Sequence, residues 1–424
     1  RSALILILLF NYHSLFAITS DSTDSNTIRL SESLLKKPKL LFHGGLQFWL
    51  RYNQNNPGSA NSSFTDMAIR RARISMLANW GNSYYLYMQA GSNNLSIKTT
   101  PENNPVFIHD LWIKKSLIPG KLYTGAGLHG WSGISRLSNI SYAKNFTLDN
   151  PGFNYPNVNH TDIMVRQLGV FVQRSLKNIN YRGAINKPFY YQQTSSEIPL
   201  QATEKASRSF NYKGYLYWQF WEHESTESGY LPMSYLGGKK ILNIGAGFDY
   251  LPNSIQFLNE NDTYTIKERS VWALDIYWEQ PVFHSNFISG YTALYQYNYG
   301  PNFIRTGGVM NIAEKQDYTE TELLQGIGNS NIIFGTGHIW YTCLAYAFPV
   351  NTHMLQLYTA SSYKYLEALP HPQLYLDFGL NYLVKEHHLK YSLQLSDRPV
   401  YLNENPLHNK IRKWGITFQL QLYL

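Results

Sequence analysis

Residues 414–424, WGITFQLQLYL, alternate strictly between two kinds of side chain. Every second residue from Trp414 to Leu424 is apolar, and the residues between them are Gly, Thr, Gln, Gln and Tyr. Because successive side chains of a strand point to opposite faces, one face of this strand would be apolar and the other polar. Such a strand suits a closed wall with lipid outside and water inside. We therefore expect an all-β protein, a transmembrane antiparallel β-barrel whose closing strand ends at Leu424.

The same alternation recurs upstream, for example at residues 242–250, 272–279, 374–382 and 389–396. Short and long connections alternate between the predicted strands, as expected when short turns face the periplasm and long loops face outside. Counting hairpins in this way predicts about 16 strands, with about 14 to 18 allowed. Short turns are predicted near residues 79–82, 118–121, 175–178, 280–285, 349–352 and 385–388, and long loops at 53–65, 92–104, 129–160, 190–207, 251–266 and 300–330. Residues 225–238 break the pattern, because this connection is long although its position assigns it to the periplasmic side.

The composition fits a barrel better than a bundle of membrane helices. The chain has 424 residues, a mean hydropathy of −0.33 and only one notable apolar run, residues 3–10. That run is shorter than the roughly 18 apolar residues that a spanning helix needs. Aromatic residues make up 15% of the chain, with 34 Tyr, as expected for the aromatic girdles at the two membrane interfaces. A secreted, soluble, glycan-binding β-protein is the alternative that composition leaves open.

The beginning of the sequence has the order of a secretion signal. Arg1 is followed by the apolar run and then by small or mixed residues up to Ala17. We expect a signal peptide at residues 1–17, a periplasmic leader at 18–38 and the barrel at 39–424. The leader is too short to form a separate plug domain. The predicted location is the outer membrane of a Gram-negative cell, reached by export.

Several segments resemble the phosphate-selective porin family of outer membranes. They are residues 68–75 (AIRRARIS), 84–89 (YYLYMQ), 110–113 (DLWI), 122–125 (LYTG), 166–170 (RQLGV), 181–184 (YRGA), 235–240 (YLGGKK) and 245–250 (GAGFDY). The resemblance extends loosely over most of the chain and implies a passive channel, with phosphate-like anions as candidate solutes and a homotrimer as the usual assembly. The chain departs from the family by ending on Leu424 rather than an aromatic residue. The family's lysine ladder has no residue-by-residue counterpart here.

Strand parity assigns several cations to the pore. Lipid-facing neighbours send Arg51, Arg71, Arg73, Arg182 and Lys213 inward, because a guanidinium on the lipid face costs about 2–4 kcal/mol at midplane. A cation-lined pore would favour anions. The alternative is that these residues pair with inward carboxylates and give no net selectivity. Examples of such carboxylates are Asp110, Asp249, Asp275 and Glu279.

The loop at residues 129–160 is the candidate constriction. It follows the fifth predicted strand, carries Arg136 and Lys144, and contains aromatic residues that would pack against an inner wall. Such a loop would narrow a barrel of this width, which is otherwise wide enough for an aqueous channel. A loop that projects outward is the alternative.

The sequence predicts a passive porin for small hydrophilic solutes with an anion, phosphate-like, preference, embedded in outer-membrane lipid and lipopolysaccharide. A barrel that serves as a scaffold in a secretion or uptake complex remains an alternative, with residues 300–330 as its docking surface. We expect no enzyme, cofactor, metal site or nucleic-acid partner, because no nucleophile motif stands out and the basic residues are scattered. The single cysteine, Cys343, is expected to be a buried free thiol, and His387 and His388 are expected to be solvated at a turn.

Overall fold

Nearly all regular structure in this computed structural model is antiparallel strand. It describes residues 37–54, 63–96, 106–130, 133–155, 166–188, 201–283, 285–306, 332–401 and 410–424, so the predicted signal peptide lies outside the described residues. The strands are β1 Lys39–Asn53, β2 Phe64–Trp80, β3 Tyr84–Ser96, β4 Phe107–Ile118, β5 Leu122–His129, β6 Gln167–Leu176, β7 Ile179–Lys187, β8 Thr203–Glu204, β9 Asn211–Gln219, β10 Ile241–Leu258, β11 Tyr264–Pro281, β12 Phe287–Asn298, β13 Ile304–Thr306, β14 Ile332–Gly335, β15 Gly337–Val350, β16 His353–Leu366, β17 Gln373–Lys385, β18 Leu389–Tyr401 and β19 Lys410–Tyr423.

Sixteen of these strands close into one barrel. Each pairs with its neighbours along the chain, and β19 returns to pair with β1 from Gly45 opposite Tyr423 to Asn53 opposite Gly415. The two-residue strand β8 joins the edge of β10, and β13 with β14 forms a separate hairpin. Closure leaves no unpaired sheet edge, which is the condition for a sheet to cross a bilayer. The predicted antiparallel barrel of about 16 strands is confirmed.

The alternation read from the sequence becomes an outer and an inner face. On β11, Trp272, Leu274 and Ile276 are exposed on the outside. Ala273 and Tyr277, between them in the sequence, are buried on the inside. A wall with such exposed apolar side chains would aggregate in water but is stabilised by lipid.

All but one of the connections described at one barrel end are short. The pairs β2–β3, β4–β5, β6–β7, β15–β16 and β17–β18 are joined by tight turns near the predicted positions. The connection between β9 and β10 begins at this same end, because Gln219 N donates to Asn178 O in the β6–β7 turn. The described residues also contain single-turn 3₁₀ helices at Leu137–Asn139, Tyr142–Lys144 and Gly152–Asn154. No helix among the described residues is long and apolar enough to cross a bilayer.

Candidate functional site: a lumen divided by two inserts

Two connections enter the barrel from opposite ends. The inner loop, residues 133–155, follows β5, and the turn-side insert, residues 220–240, joins β9 to β10. The inner loop contains a continuous run of buried residues from 133 to 140. The insert is buried at Glu224, Leu231 and Met233. Both segments therefore lie within the lumen, including the connection whose length broke the sequence pattern.

The inner loop is hydrogen-bonded to the far wall of the barrel. Tyr295 of β12 donates its hydroxyl to Asn154 Oδ1 at 2.5 Å, and Lys390 of β18 donates from Nζ to Asn145 O at 2.8 Å. Gly247 of β10 makes room for the loop, because a Cβ there would lie 2.5 Å from the carbonyl oxygens of two loop residues. These contacts hold residues 133–155 across the lumen.

On the near wall, Asp149 of the inner loop meets two arginines of β2. Its carboxylate oxygens lie 2.7 Å from Arg70 Nε and 2.8 Å from Arg71 Nη2. Burial would raise the pKa of Asp149, but the two guanidinium charges outweigh it and hold the pKa below its usual range. A β-bulge makes this pair of contacts feasible, because the register shifts opposite Gln47 and Phe48 and turns both consecutive arginines inward.

Aromatic and aliphatic packing fills the space between the inner loop and β11–β16. Phe146 and Phe153 of the loop and Met233 of the insert are fully buried against this wall. The wall contributes inward tyrosines rather than the polar residues usual in a water-filled lumen, namely Tyr277, Tyr291, Tyr295, Tyr297, Tyr341 and Tyr358. The prediction that the aromatic residues form membrane girdles is therefore wrong for these tyrosines. Their rings pack on the loop, and hydroxyls such as that of Tyr297 bond to it.

The two inserts are joined to each other by backbone hydrogen bonds. Leu231 N donates to Asn139 O at 2.7 Å, and Ser141 N donates to Leu231 O at 2.9 Å, which forms a parallel bridge. Further along, Met233 N donates to Lys144 O at 3.0 Å. The inserts thus form one inner layer rather than two independent obstructions.

A buried ion pair fixes this layer. Arg136 of the inner loop donates from Nη1 and Nη2 to both carboxylate oxygens of Glu224 in the insert, at 2.8 and 2.7 Å. The guanidinium lies 3.6 Å from the ring centre of Tyr277, and Glu224 also accepts from Tyr235 and Asn243. Burial would raise the pKa of Glu224, but Arg136 and these hydrogen bonds lower it below its ordinary value. The predicted constriction residue Arg136 therefore acts as a clamp and does not face an open passage.

A cavity of about 650 Å³ remains between the inner layer and β1–β4. Among the described residues, its cationic lining side chains are Arg71, Arg73, Lys114, Lys144, Arg166 and Lys239, and its carboxylate is Glu227. Its aromatic lining residues are Tyr85, Tyr87, Trp112, Tyr142, Tyr155, Tyr230, Tyr235 and Tyr423. The cavity left beside the inserts is thus basic and rich in aromatic rings.

Arg73 is a cation of this cavity that forms no ion pair with a carboxylate of the described residues. It donates from Nη1 to Gln89 Oε1 at 3.2 Å and from Nη2 to Asn93 Oδ1 at 2.8 Å. Its guanidinium also lies 5.0 Å from the ring centre of Tyr142. Because these partners are neutral, the charge of Arg73 remains available to an anion in the cavity. Arg71, two residues earlier on the same strand, instead shares the Asp149 carboxylate with Arg70.

The other predicted pore residues lie on the inner side in varied surroundings. Arg51 pairs with Asp66, and Lys213 Nζ lies 3.2 Å from Asp249 Oδ2. Arg182 Nη1 donates to Gly229 O of the turn-side insert at 2.7 Å. Lys144 is exposed to the cavity. Arg51 and Lys213 thus have carboxylate partners, and of these Asp249 is one that the alternative interpretation named.

Five charged residues of this site were not singled out by the sequence analysis. Lys114, Arg166, Lys239 and Glu227 line the cavity, and Glu224 holds Arg136. Arg166 pairs with Asp110 at 3.1 Å, so its charge is shared. The parity that placed Asp110 inward would also have placed Lys114 inward, since both have even numbers on β4. Glu224 carried no signal beyond the unusual length of its connection.

Two smaller expectations are decided by burial. His387 does lie at the β17–β18 turn, but the prediction that it is solvated is wrong. Its ring is buried beside Ser234 O at 3.1 Å, and burial lowers its pKa to about 3.

Cys343 is a buried free cysteine on the lumen side of β15. Within the described ranges, no group of three or more His, Cys, Asp or Glu side chains is placed to hold a metal ion.

The barrel is similar to solved outer-membrane channels. An anion-selective porin from Comamonas acidovorans matches with a TM-score of 0.51 at 9% identity, over 92% of this chain and 100% of that chain. OprB of Pseudomonas putida, solved at high pH, gives 0.57 at 8% identity, over 93% and 96%. The outer-membrane channel DcaP of Acinetobacter baumannii gives 0.51 at 8% identity, over 92% and 98%.

At such low identity these likenesses establish the fold alone, a closed 16-strand barrel. No protein-family model matches the chain, and no curated protein matches it in sequence. The resemblance to the phosphate-selective porin family therefore stays a prediction.

Proposed function

We propose that this chain is an outer-membrane porin, a passive diffusion channel for small hydrophilic solutes that prefers anions. The observation that carries the proposal is the cavity beside β1–β4. Among the described residues, six cationic side chains and one carboxylate line it, and two of the six, Arg71 and Arg166, are paired with Asp149 and Asp110. Cations around a narrow, low-dielectric passage concentrate anions and lower the barrier to their passage. The fold is consistent with the same function, because its solved neighbours include an anion-selective porin and an outer-membrane channel.

The location and assembly follow from the same proposal. The apolar outer face would be embedded in outer-membrane lipid beneath lipopolysaccharide, with the short turns on the periplasmic side. Export through the predicted signal peptide would bring the chain there. A homotrimer is the assembly implied by the family resemblance, and phosphate is one of the anions that the cavity would admit.

The test is the reversal potential of the purified protein in a planar bilayer under a KCl gradient. We expect a current carried mainly by chloride. Arg73→Gln should shift the reversal potential toward the potassium value, whereas Glu227→Gln should shift it further toward the chloride value. Arg208→Gln is the matched control, because Arg208 is exposed outside the cavity. Equal shifts in all three variants, or a cation-selective parent protein, would contradict the cavity as the selective passage.

A scaffold barrel in an outer-membrane complex is the second candidate, and the inner layer favours it. The layer fills the half of the lumen beside β11–β16 from two sides and narrows the rest. A barrel whose inserts close it would be folded but electrically silent. Heat-modifiable protein with no conductance under any applied voltage would therefore replace the porin proposal with the scaffold. The predicted docking surface at residues 300–330 falls mostly outside the described residues.

A further inference from the structure

We propose that the cavity is a binding site for a ring compound that carries a carboxylate group, and not only a basic passage. This proposal rests on the proposed channel for its access route, but the site itself is argued from the lining of the cavity. Its volume of about 650 Å³ lies within the range of small-molecule sites, about 300–1,000 Å³. Apolar and aromatic walls with a few fixed charges are the composition such sites share.

A ring platform lies on the barrel wall. Tyr87 of β3 and Trp112 of β4 are paired in register, with ring centres 5.1 Å apart and planes inclined by 27°. Both rings face the cavity and are only partly buried. In a lumen built only for ions, these inward positions would carry small polar groups, whereas a flat apolar pair offers stacking to a ring.

The anion-binding group lies next to this platform. Arg73 donates to Gln89 Oε1 at 3.2 Å, and Gln89 Nε2 donates to Tyr87 Oη at 3.0 Å. The Gln89 amide therefore lies between the Arg73 guanidinium and the Tyr87 ring. The planar set of N–H donors on the Arg73 guanidinium matches the two oxygens of a carboxylate. A ligand whose ring stacks on Trp112 would bring its acidic group toward Arg73.

The opposite side of the cavity is formed by rings of the two inserts. Tyr142 of the inner loop lies under Arg73, and Gly45 of β1 permits its position, because a Cβ there would lie too close to the Tyr142 hydroxyl. Tyr230 of the turn-side insert lines the cavity and donates to Asp110 Oδ1 at 2.9 Å. Rings on both sides and a cation at the edge select a ligand with both a ring and a negative charge.

The experiment is isothermal titration calorimetry of the folded protein in detergent with three probes: benzoate, glucuronate and acetate. Each carries one carboxylate, and only the first two carry a ring. We expect benzoate or glucuronate to bind about tenfold more tightly than acetate, since a stacked ring adds roughly one factor of ten. If only benzoate binds tightly, the ligand is an aromatic carboxylate. If only glucuronate binds tightly, the ligand is a sugar acid. Equal affinity for all three, or no binding, would overturn the proposal.

Variants separate the two parts of the site. Trp112→Leu should remove the advantage of the ring compounds over acetate, and Trp112→Phe should restore it. Arg73→Gln should weaken all three probes. Trp272→Leu, the same change on the lipid-facing side of β11, should alter none. A Trp112→Leu protein that keeps heat-modifiable folding and the ring advantage would refute the platform.

Calorimetry does not require a conducting pore. If benzoate binds to a barrel that conducts no current, the binding-site proposal stands and the channel proposal fails. If the barrel conducts anions but binds the three probes equally, the channel proposal stands and the binding-site proposal fails.

Discussion

Replacing Glu224 with Gln should loosen the inner layer from the barrel. Four donors converge on the Glu224 carboxylate: Nη1 and Nη2 of Arg136, the Tyr235 hydroxyl and the Asn243 amide. A glutamine amide can accept at only one of its two terminal atoms, and its NH₂ group would face donors. The substitution also leaves the Arg136 charge buried without its counter-ion. Breaking one partner of a buried pair costs about 3–5 kcal/mol.

Two measurements check this prediction. Guanidinium-induced unfolding in detergent, followed by tryptophan fluorescence, should show the free energy of unfolding fall by about 3–5 kcal/mol. Single-channel recordings should show larger or noisier currents, because the turn-side insert is no longer held by Arg136. Glu222→Gln is the control. Glu222 is exposed two residues away, and exposed charges contribute about 1 kcal/mol or less.

A double-mutant cycle separates the ion pair from its surroundings. If the pair is the source of the loss, Arg136→Gln combined with Glu224→Gln should destabilise less than the two single changes added together. Additive losses would place the cost in Tyr235 and Asn243 instead. A Glu224→Gln protein as stable and as quiet electrically as Glu222→Gln would refute the inference that this pair holds the layer.

Three further predictions concern single positions. Because the folded protein lowers the pKa of Asp149, this carboxylate contributes its full stability above the ordinary carboxyl pKa of about 4 and loses that contribution as the pH falls below it. The melting temperatures at pH 7 and pH 3 should therefore differ less in Asp149→Asn than in the parent protein. Gly247→Ala, whose new Cβ would meet loop carbonyls at 2.5 Å, should lower the melting temperature by several degrees, unlike Gly44→Ala, where nothing lies within 4 Å. Cys343 should react with a maleimide only after unfolding, and labelling of the folded barrel would show that the packing between the inner layer and β15 opens.

Local alternation was sufficient to predict the wall of the barrel. Residues 414–424 alternate because lipid and lumen impose opposite requirements on adjacent side chains, and this constraint acts on every strand. The same parity placed Arg71, Arg73, Arg182 and Lys213 on the inner face, where the structure has them. The order of short and long connections predicted which strands are joined by tight turns.

The interior could not be predicted in the same way, because it depends on contacts between distant segments. The bulge that turns Arg70 inward beside Arg71 breaks the parity on which the assignment relied. Tyrosine suits both a membrane interface and a buried core, so composition could not separate girdle positions from Tyr295 or Tyr341. The sequence shows that the connection at residues 225–238 is long, but its length does not indicate whether it enters the lumen or projects from the barrel.

The inner loop also has a consequence for how the barrel stays closed. Gln47 of β1 and Gln421 of β19 meet at the seam although 374 positions separate them in sequence. The loop reaches across that seam, through Asp149 to Arg70 on β2 and through Ala143 O to Gln421 on β19. Parting β1 from β19 would therefore also break contacts of the loop. The segment that obstructs the finished lumen thus acts as a strap between the first hairpin and the last strand.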